Sequence, residues 1–201
     1  MMVVRRSLLL PLLVFLTAAI FLLATLLLVL PDPKPSGSAS RVPIGGPFQL
    51  TSQEGKPFSS DSLKGKPFAI FFGFTHCPEV CPTTLYDLTQ DLTTMGKDAD
   101  KLNVVFVTID PEQDTPDLMK TYLSSFDPRI IGLSGTPDQI AATAKAYKVF
   151  YEKVPTDSGY TMNHTATIFL MDSKGDFYGS SNFQEPQETR RQKLQNLVKN
   201  G

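Results

Sequence analysis

The chain has two cysteines, Cys77 and Cys81, and two histidines, His76 and His164. Three of these four residues stand together in "FFGFTHCPEVCP", Phe71 to Pro82. A pair spaced C-x-x-x-C has three possible uses: a structural disulfide, a redox couple, or two arms of a metal site. On helical backbone this spacing puts both thiols on one face, about 5–6 Å apart at Cβ. A relaxed disulfide wants Cβ atoms nearer about 3.8 Å, so a bridge needs local adjustment, which is available if Cys77 precedes the helix proper. A helix N-terminus lowers thiol pKa, so thiolate is expected near neutral pH.

Two thiolates are soft metal arms. They favour copper(I), and imidazole serves copper in either oxidation state. A third donor would complete a trigonal site. His76 neighbours Cys77, and adjacent side chains diverge in extended backbone, so it is a poor partner. His164 opens "HTATIFLMD" and is the better one if the fold returns it to the cysteines. Zinc is less suited, because a closed structural site takes four ligands and three are in view. The residue types alone leave a passive bridge and active chemistry equally open.

The elements that must position these residues are legible. "PFAIFFGF" (Pro67–Phe74) is a continuous apolar run of strand length, which predicts a strand buried on both faces. Pro82 fits the first turn of a helix carrying Leu85, Leu88, Leu92 and Met95 on one face, with Gly96 at its end. "NVVFVTID" (Asn103–Asp110) is a second buried strand. Asp114 or Thr115 caps a helix with Pro116 early inside it. "RIIGLSG" is a third strand and Pro137 opens another helix. "TATIFLMD" (Thr165–Asp172) and "FYGSSNF" form a hairpin about Gly175, and Pro186–Asn200 is a closing helix. "FQLTSQEGKPFS" (Phe48–Ser59) is an N-terminal hairpin turning at Glu54–Gly55. This order, βαβαβα then ββα, implies parallel strands with helices on the faces. A dithiol at the first strand-to-helix junction of such a sheet predicts an α/β, thioredoxin-like fold with an N-terminal hairpin extension. Sites in open α/β sheets lie at the carboxyl ends of strands, where Cys77 and Cys81 fall.

Upstream, Arg5 and Arg6 precede a charge-free run from Leu8 to Leu30. About 20 such residues span a hydrocarbon core as a helix. A cleaved signal peptide would have a shorter core of about 7–15 residues and a nearby small-residue site. The expectation is therefore an N-terminal membrane anchor over 1–30, with its N-terminus in the cytoplasm by the positive-inside rule and the rest of the chain exported. Residues 31–43, "PDPKPSGSASRVP", read as a Pro/Ser/Gly-rich linker, and 44–201 as one domain. The formal net charge of −1 gives no reason to expect nucleic-acid binding.

"GGPFQLTSQEGKPF", "GKPFAIFFGFTHCPEVCPTTL", "VTIDPEQDTP", "IIGLSGTPDQIAATAKAYKV" and "NHTATIFLMDSKG" resemble the Sco/SenC family in order and spacing, from Gly45 to about Phe177. The resemblance implies a membrane-anchored, thioredoxin-like copper protein, a metallochaperone more than an enzyme, that assists cytochrome c oxidase assembly by delivering copper to the copper A centre of subunit II or by keeping its cysteines reduced. The short basic stretch before the apolar run, without an Arg/Ser-rich amphipathic transit segment, sets the expected place as the bacterial inner membrane, with the domain in the periplasm. The family's ligand positions map onto Cys77, Cys81 and His164, whereas His76 belongs to the motif without being a ligand. Two positions depart from the family's usual D-H and D-P-E-R-D: Asn163 precedes His164, and Gln113 stands in "DPEQD". An aspartate beside the ligand would tune it from outside the coordination shell, and Asn163 supplies only a dipole. Asp114 reads as a helix cap, and Asp110 is left open.

A second function stays in view. In a thiol-disulfide reductase that keeps subunit II cysteines reduced, Cys77 would attack a partner disulfide and Cys81 would resolve it. That role needs an external, thioredoxin-like reductant, just as the chaperone role needs a copper donor. A peroxidase of peroxiredoxin type would share the fold, but its P-x-x-x-T/S-x-x-C pattern is absent.

Overall fold

The computed structural model of the protein describes residues 9–29, 43–157 and 159–201. The chain divides into two units, Met1–Val42 and Pro43–Gly201. In the first, helix α1 (Leu9–Val29) contains no charged residue. Its side chains are described from residue 13 to 25 and are exposed throughout. Among the described residues no helix is long and apolar enough to cross a membrane. The expected basic flank, Arg5 and Arg6, and the expected linker up to residue 42 lie outside the described residues.

In the second unit, β1 (Gln49–Ser52) and β2 (Pro57–Ser59) pair antiparallel as the expected hairpin, with Gly55 at φ +70° in its turn. Every residue of β3 (Phe68–Gly73) is buried, as its unbroken apolar run requires. Helix α2 (Val80–Met95) follows and buries Leu85, Leu88, Leu92 and Met95. It begins at Val80, so Cys81 lies inside its first turn. Strand β4 (Asn103–Thr108), helix α3 (Pro116–Leu123), strand β5 (Ile130–Ser134) and helix α4 (Pro137–Ala146) complete the alternating portion. Thr115 caps α3 by accepting from the Leu118 amide, and Thr136 with Gln139 makes a capping box on α4.

Two strands follow that the sequence pattern did not separate, β6 (Tyr151–Thr156) and β7 (Gly159–His164), paired only with each other. Their side chains are mostly exposed, so they lack the apolar alternation by which a half-buried strand is recognised. Strands β8 (Thr167–Met171) and β9 (Phe177–Asn182) and helix α5 (Gln187–Asn200) close the unit. His164 therefore ends β7 instead of opening the strand that follows.

The main sheet runs β2-β1-β5-β4-β3-β8-β9. β3, β4 and β5 are parallel, whereas β8 is antiparallel to β3. On β3, Phe71 faces Phe106, and Gly73 faces Phe106 and the Cys81 sulfur, while Phe72 faces Tyr147 and Phe169 on the other side. This alternation follows from the strand's period of two and gives the sheet a core on each face. Helices α2 and α5 are joined by a buried ion pair, Arg190 Nε to Asp91 Oδ2 at 2.6 Å.

Candidate metal centre

The site lies where β3 ends and α2 begins. Cys77 occupies the loop just before the helix and is partly exposed; Cys81 is in the first turn and fully buried. Both are free thiols. The Cys81 amide donates to the Cys77 sulfur at 3.4 Å, an N-terminal helix amide aimed at a sulfur anion. Gly73 makes room for this packing, because a Cβ there would lie 2.7 Å from the Cys81 sulfur.

His164 arrives from β7, 83 residues beyond Cys81, with Nε2 3.7 Å from the Cys81 sulfur. Its ring meets Phe71 and Phe74 edge-on, at centroid distances of 6.3 and 5.9 Å. Nδ1 lies 3.1 Å from the Thr165 carbonyl. A carbonyl only accepts, so that contact assigns the proton to Nδ1 and leaves the Nε2 lone pair toward the sulfurs, the tautomer a metal ligand needs. The donor atoms of Cys77, Cys81 and His164 all lie within 4.8 Å of one another. A three-coordinate ion with bonds of about 2.0–2.3 Å wants donors roughly 3.5–4 Å apart, so a small contraction would close the set on an ion.

The thiols differ sharply in acidity. The Cys77 thiol is lowered to about 4, chiefly by the hydrogen bond from the Cys81 thiol, against the opposing effect of burial. The Cys81 thiol is pushed up by the same hydrogen bond and by burial. The pair thus holds one proton, on Cys81, and presents a thiolate at Cys77. Thiolate absorbance of the reduced, metal-free chain should accordingly show one thiolate at pH 6, titrating away near pH 4. Absence of thiolate until about pH 8 would contradict this assignment.

His76 does not join the set. Its Nδ1 lies 3.0 Å from the Thr75 hydroxyl and 3.8 Å from Asp114 Oδ1. The structure corrects two further expectations. Asp114 is not a helix cap. It is fully buried and clamps the loop that leads to Cys77. Its carboxylate accepts from the Thr75 amide at 3.0 Å, the Thr75 hydroxyl at 2.6 Å and the Thr108 hydroxyl at 2.6 Å. Asn163 does not adjoin the imidazole as a tuning group either. It faces solvent and donates to Glu152 across the hairpin at 3.2 Å, because neighbouring residues on a strand point to opposite faces. Thr165 supplies the backbone contact to His164 instead. The sequence pattern also gave no sign of the Phe71–Phe74 ring corner; a run of aromatics ending at the motif was its only trace.

The sequence model of the family described as SCO1/SenC matches residues 36–199. Protein SCO2 of Saccharomyces cerevisiae mitochondria is 39% identical over 140 residues, covering 68% of this chain and 46% of the yeast protein. The chain thus spans about half the length of that relative. An SCO2-like protein of Rickettsia felis is 37% identical over 139 residues, covering 68% of each chain. The structure of Bradyrhizobium japonicum ScoI with copper bound superposes with a TM-score of 0.72 at 54% identity, covering 77% of this chain and 99% of that one. The expected α/β, thioredoxin-like fold is therefore shared with solved relatives.

Proposed function

Because the chain belongs to the SCO1/SenC family, we propose that it carries one copper ion as cargo on Cys77, Cys81 and His164. The observation that carries this reading is the convergence of two sulfurs and one imidazole nitrogen within 4.8 Å at the open end of the sheet. Two thiolates with one imidazole suit copper(I) by softness. A relative at 54% identity was solved with copper bound, which supports the same cargo here. Hand-over proceeds by stepwise ligand exchange. Cys77, the exposed member of the pair, yields first to incoming donor atoms, and buried Cys81 holds the ion until last.

The proposed acceptor is the copper A centre of cytochrome c oxidase subunit II during assembly, with a periplasmic copper donor upstream. The charge-free run Leu8–Leu30 behind Arg5 and Arg6 supports a single-pass anchor in a bacterial inner membrane, with the site on the periplasmic side. A second reading rests on the acidity of Cys77. A thiolate beside a protonated, buried partner is the arrangement of a disulfide reductase. Cys77 would attack a subunit II disulfide and Cys81 would release the partner, leaving a Cys77–Cys81 bridge for a thioredoxin-like reductant to reopen.

Competition titration with a copper(I) chelator separates the two readings. His164→Ala should bind copper about a hundredfold more weakly, since structural metal sites gain about 10–16 kcal/mol from four donors, a few kcal/mol each. Equal affinity in the two proteins would remove His164 from the site, and undiminished disulfide reduction by the variant would then favour the reductase reading.

A further inference from the structure

The ligand His164 stands at the end of a hairpin that shares no strand with the main sheet. The β6–β7 hairpin is a separate two-stranded sheet, most of its side chains face solvent, and it meets the core through buried Met162 and the partly buried Tyr151 and Tyr160. Beside it lies a solvent-open pocket of about 150 Å³ with Asp110, Glu112, Tyr151, Lys153 and Met162 among its walls. Along this pocket the hairpin lacks packing partners, so fewer contacts oppose its movement there.

Among the described residues, the polar side-chain ties across this gap come from Asp110 and Glu112. The Tyr160 hydroxyl of β7 donates to Asp110 Oδ1 at 3.1 Å. Lys153 of β6 pairs with Glu112 at 2.7 Å and lies 4.6 Å from the Tyr160 ring centroid. The two ties differ in weight. Lys153 and Glu112 are both well exposed, so their pairing is screened and adds little. Asp110 is only 2% exposed, and it is held in place independently of the hairpin. Its amide donates to Thr108 Oγ1 at 2.9 Å, and its Oδ2 accepts from Gln113 Nε2 at 3.1 Å. Gln113 thus contributes to the same post.

We propose that the Tyr160–Asp110 hydrogen bond is a latch that keeps His164 on the copper ion, and that its opening starts release. The proposal rests on the three-donor reading above. With the latch closed, the end of β7 holds Nε2 beside the sulfurs. With it open, the hairpin lifts at this pocket and takes His164 with it, leaving the ion on two sulfurs and open to an acceptor. Tyr160 and Asp110 are positioning residues: neither meets the metal, and both act through where β7 ends.

The test is copper(I) release from the full chain to a chelator, followed by stopped flow, in a cycle of Tyr160→Phe and His164→Ala. The Phe variant keeps the ring and loses only the donor. It should release copper about tenfold faster, the lower end for losing one hydrogen bond to a charged group that holds the competent state. Asp110→Asn keeps an acceptor oxygen for Tyr160 but loses the charge, so its release rate should fall between those of the wild type and Tyr160→Phe. In the His164→Ala background, Tyr160→Phe should change nothing, because the latch has no ligand left to hold. A merely structural role for Tyr160 would speed release equally in both backgrounds and overturn the proposal. So would wild-type release by Tyr160→Phe in a protein whose release His164→Ala accelerates. If His164→Ala itself released copper at the wild-type rate, the three-donor site would fail and the latch with it.

Discussion

Cys81→Ala is expected to lower copper(I) affinity by two to three orders of magnitude. At a few kcal/mol per donor, loss of one thiolate from a three-donor site amounts to about that factor, and the remaining Cys77 and His164 approach from different elements with nothing to span them. The same substitution removes the hydrogen bond that contributes most to the acidity of Cys77. The Cys77 thiol should therefore rise from about 4 toward its ordinary range, and the thiolate absorbance present at pH 6 in the wild type should fade. Both changes follow from one sulfur, so they must occur together. A variant that lost copper while its thiolate still titrated near pH 4 would show that Cys81 acts as a ligand without sharing its proton. The chelator competition assay and the absorbance titration, run on one preparation, decide this.

Arg190→Ala is expected to destabilise the domain by about 3–5 kcal/mol, the usual consequence of leaving a buried charge without its partner. Arg190 of α5 is 1% exposed and reaches Asp91 and, at 3.3 Å, Asp87, both on α2. Asp91 is wholly buried, and burial already raises its carboxyl above the usual range, with Arg190 holding it down. Without the guanidinium the buried carboxylate loses its hydrogen-bonded countercharge and keeps only the weaker influence of Arg191, so it takes up a proton at a higher pH. The folded-state pKa then lies above the unfolded one, so protonation favours the folded form. The variant should regain part of its stability as the pH falls through the raised folded value of Asp91, and lose it again as the pH rises. For a domain of this size the midpoint should drop by roughly 6–20 °C near neutral pH. Asp91→Leu combined with Arg190→Met should recover most of the loss, because apolar groups of similar volume replace buried ion pairs at little cost. Because α2 carries Cys81, Arg190→Ala should also loosen the first turn at elevated temperature, whereas the double variant should not.

The sequence was most informative where one physical signal dominated. The apolar runs of β3 and β4 admit no solvent face, and β3 is buried throughout and β4 from Val104 onward. The proline starts of α3 and α4, at Pro116 and Pro137, are read directly from residue chemistry. Few candidates made His164 a suggestive partner for the two cysteines, and the family resemblance named it; the structure brings its Nε2 within 3.7 Å of the Cys81 sulfur, from the end of β7. Contacts that depend on a second element were not legible. Asp114 looks like a helix cap because Thr115 and Pro116 follow it, yet Thr75 and Thr108, brought in by the sheet, draw its carboxylate inward. The β6–β7 hairpin escaped because its residues face water and carry no apolar alternation. Asn163 was misplaced for the same reason: assigning His164 to the start of β8 concealed that residue 163 sits on a strand of its own and points away.

X-ray absorption at the copper edge of the copper(I)-loaded chain tests the central assignment most directly. Two sulfur scatterers and one imidazole nitrogen are expected, with the imidazole signal absent in His164→Ala and present in His76→Ala. Copper held by two sulfurs alone in the wild-type chain, or an imidazole signal that disappears with His76, would contradict it.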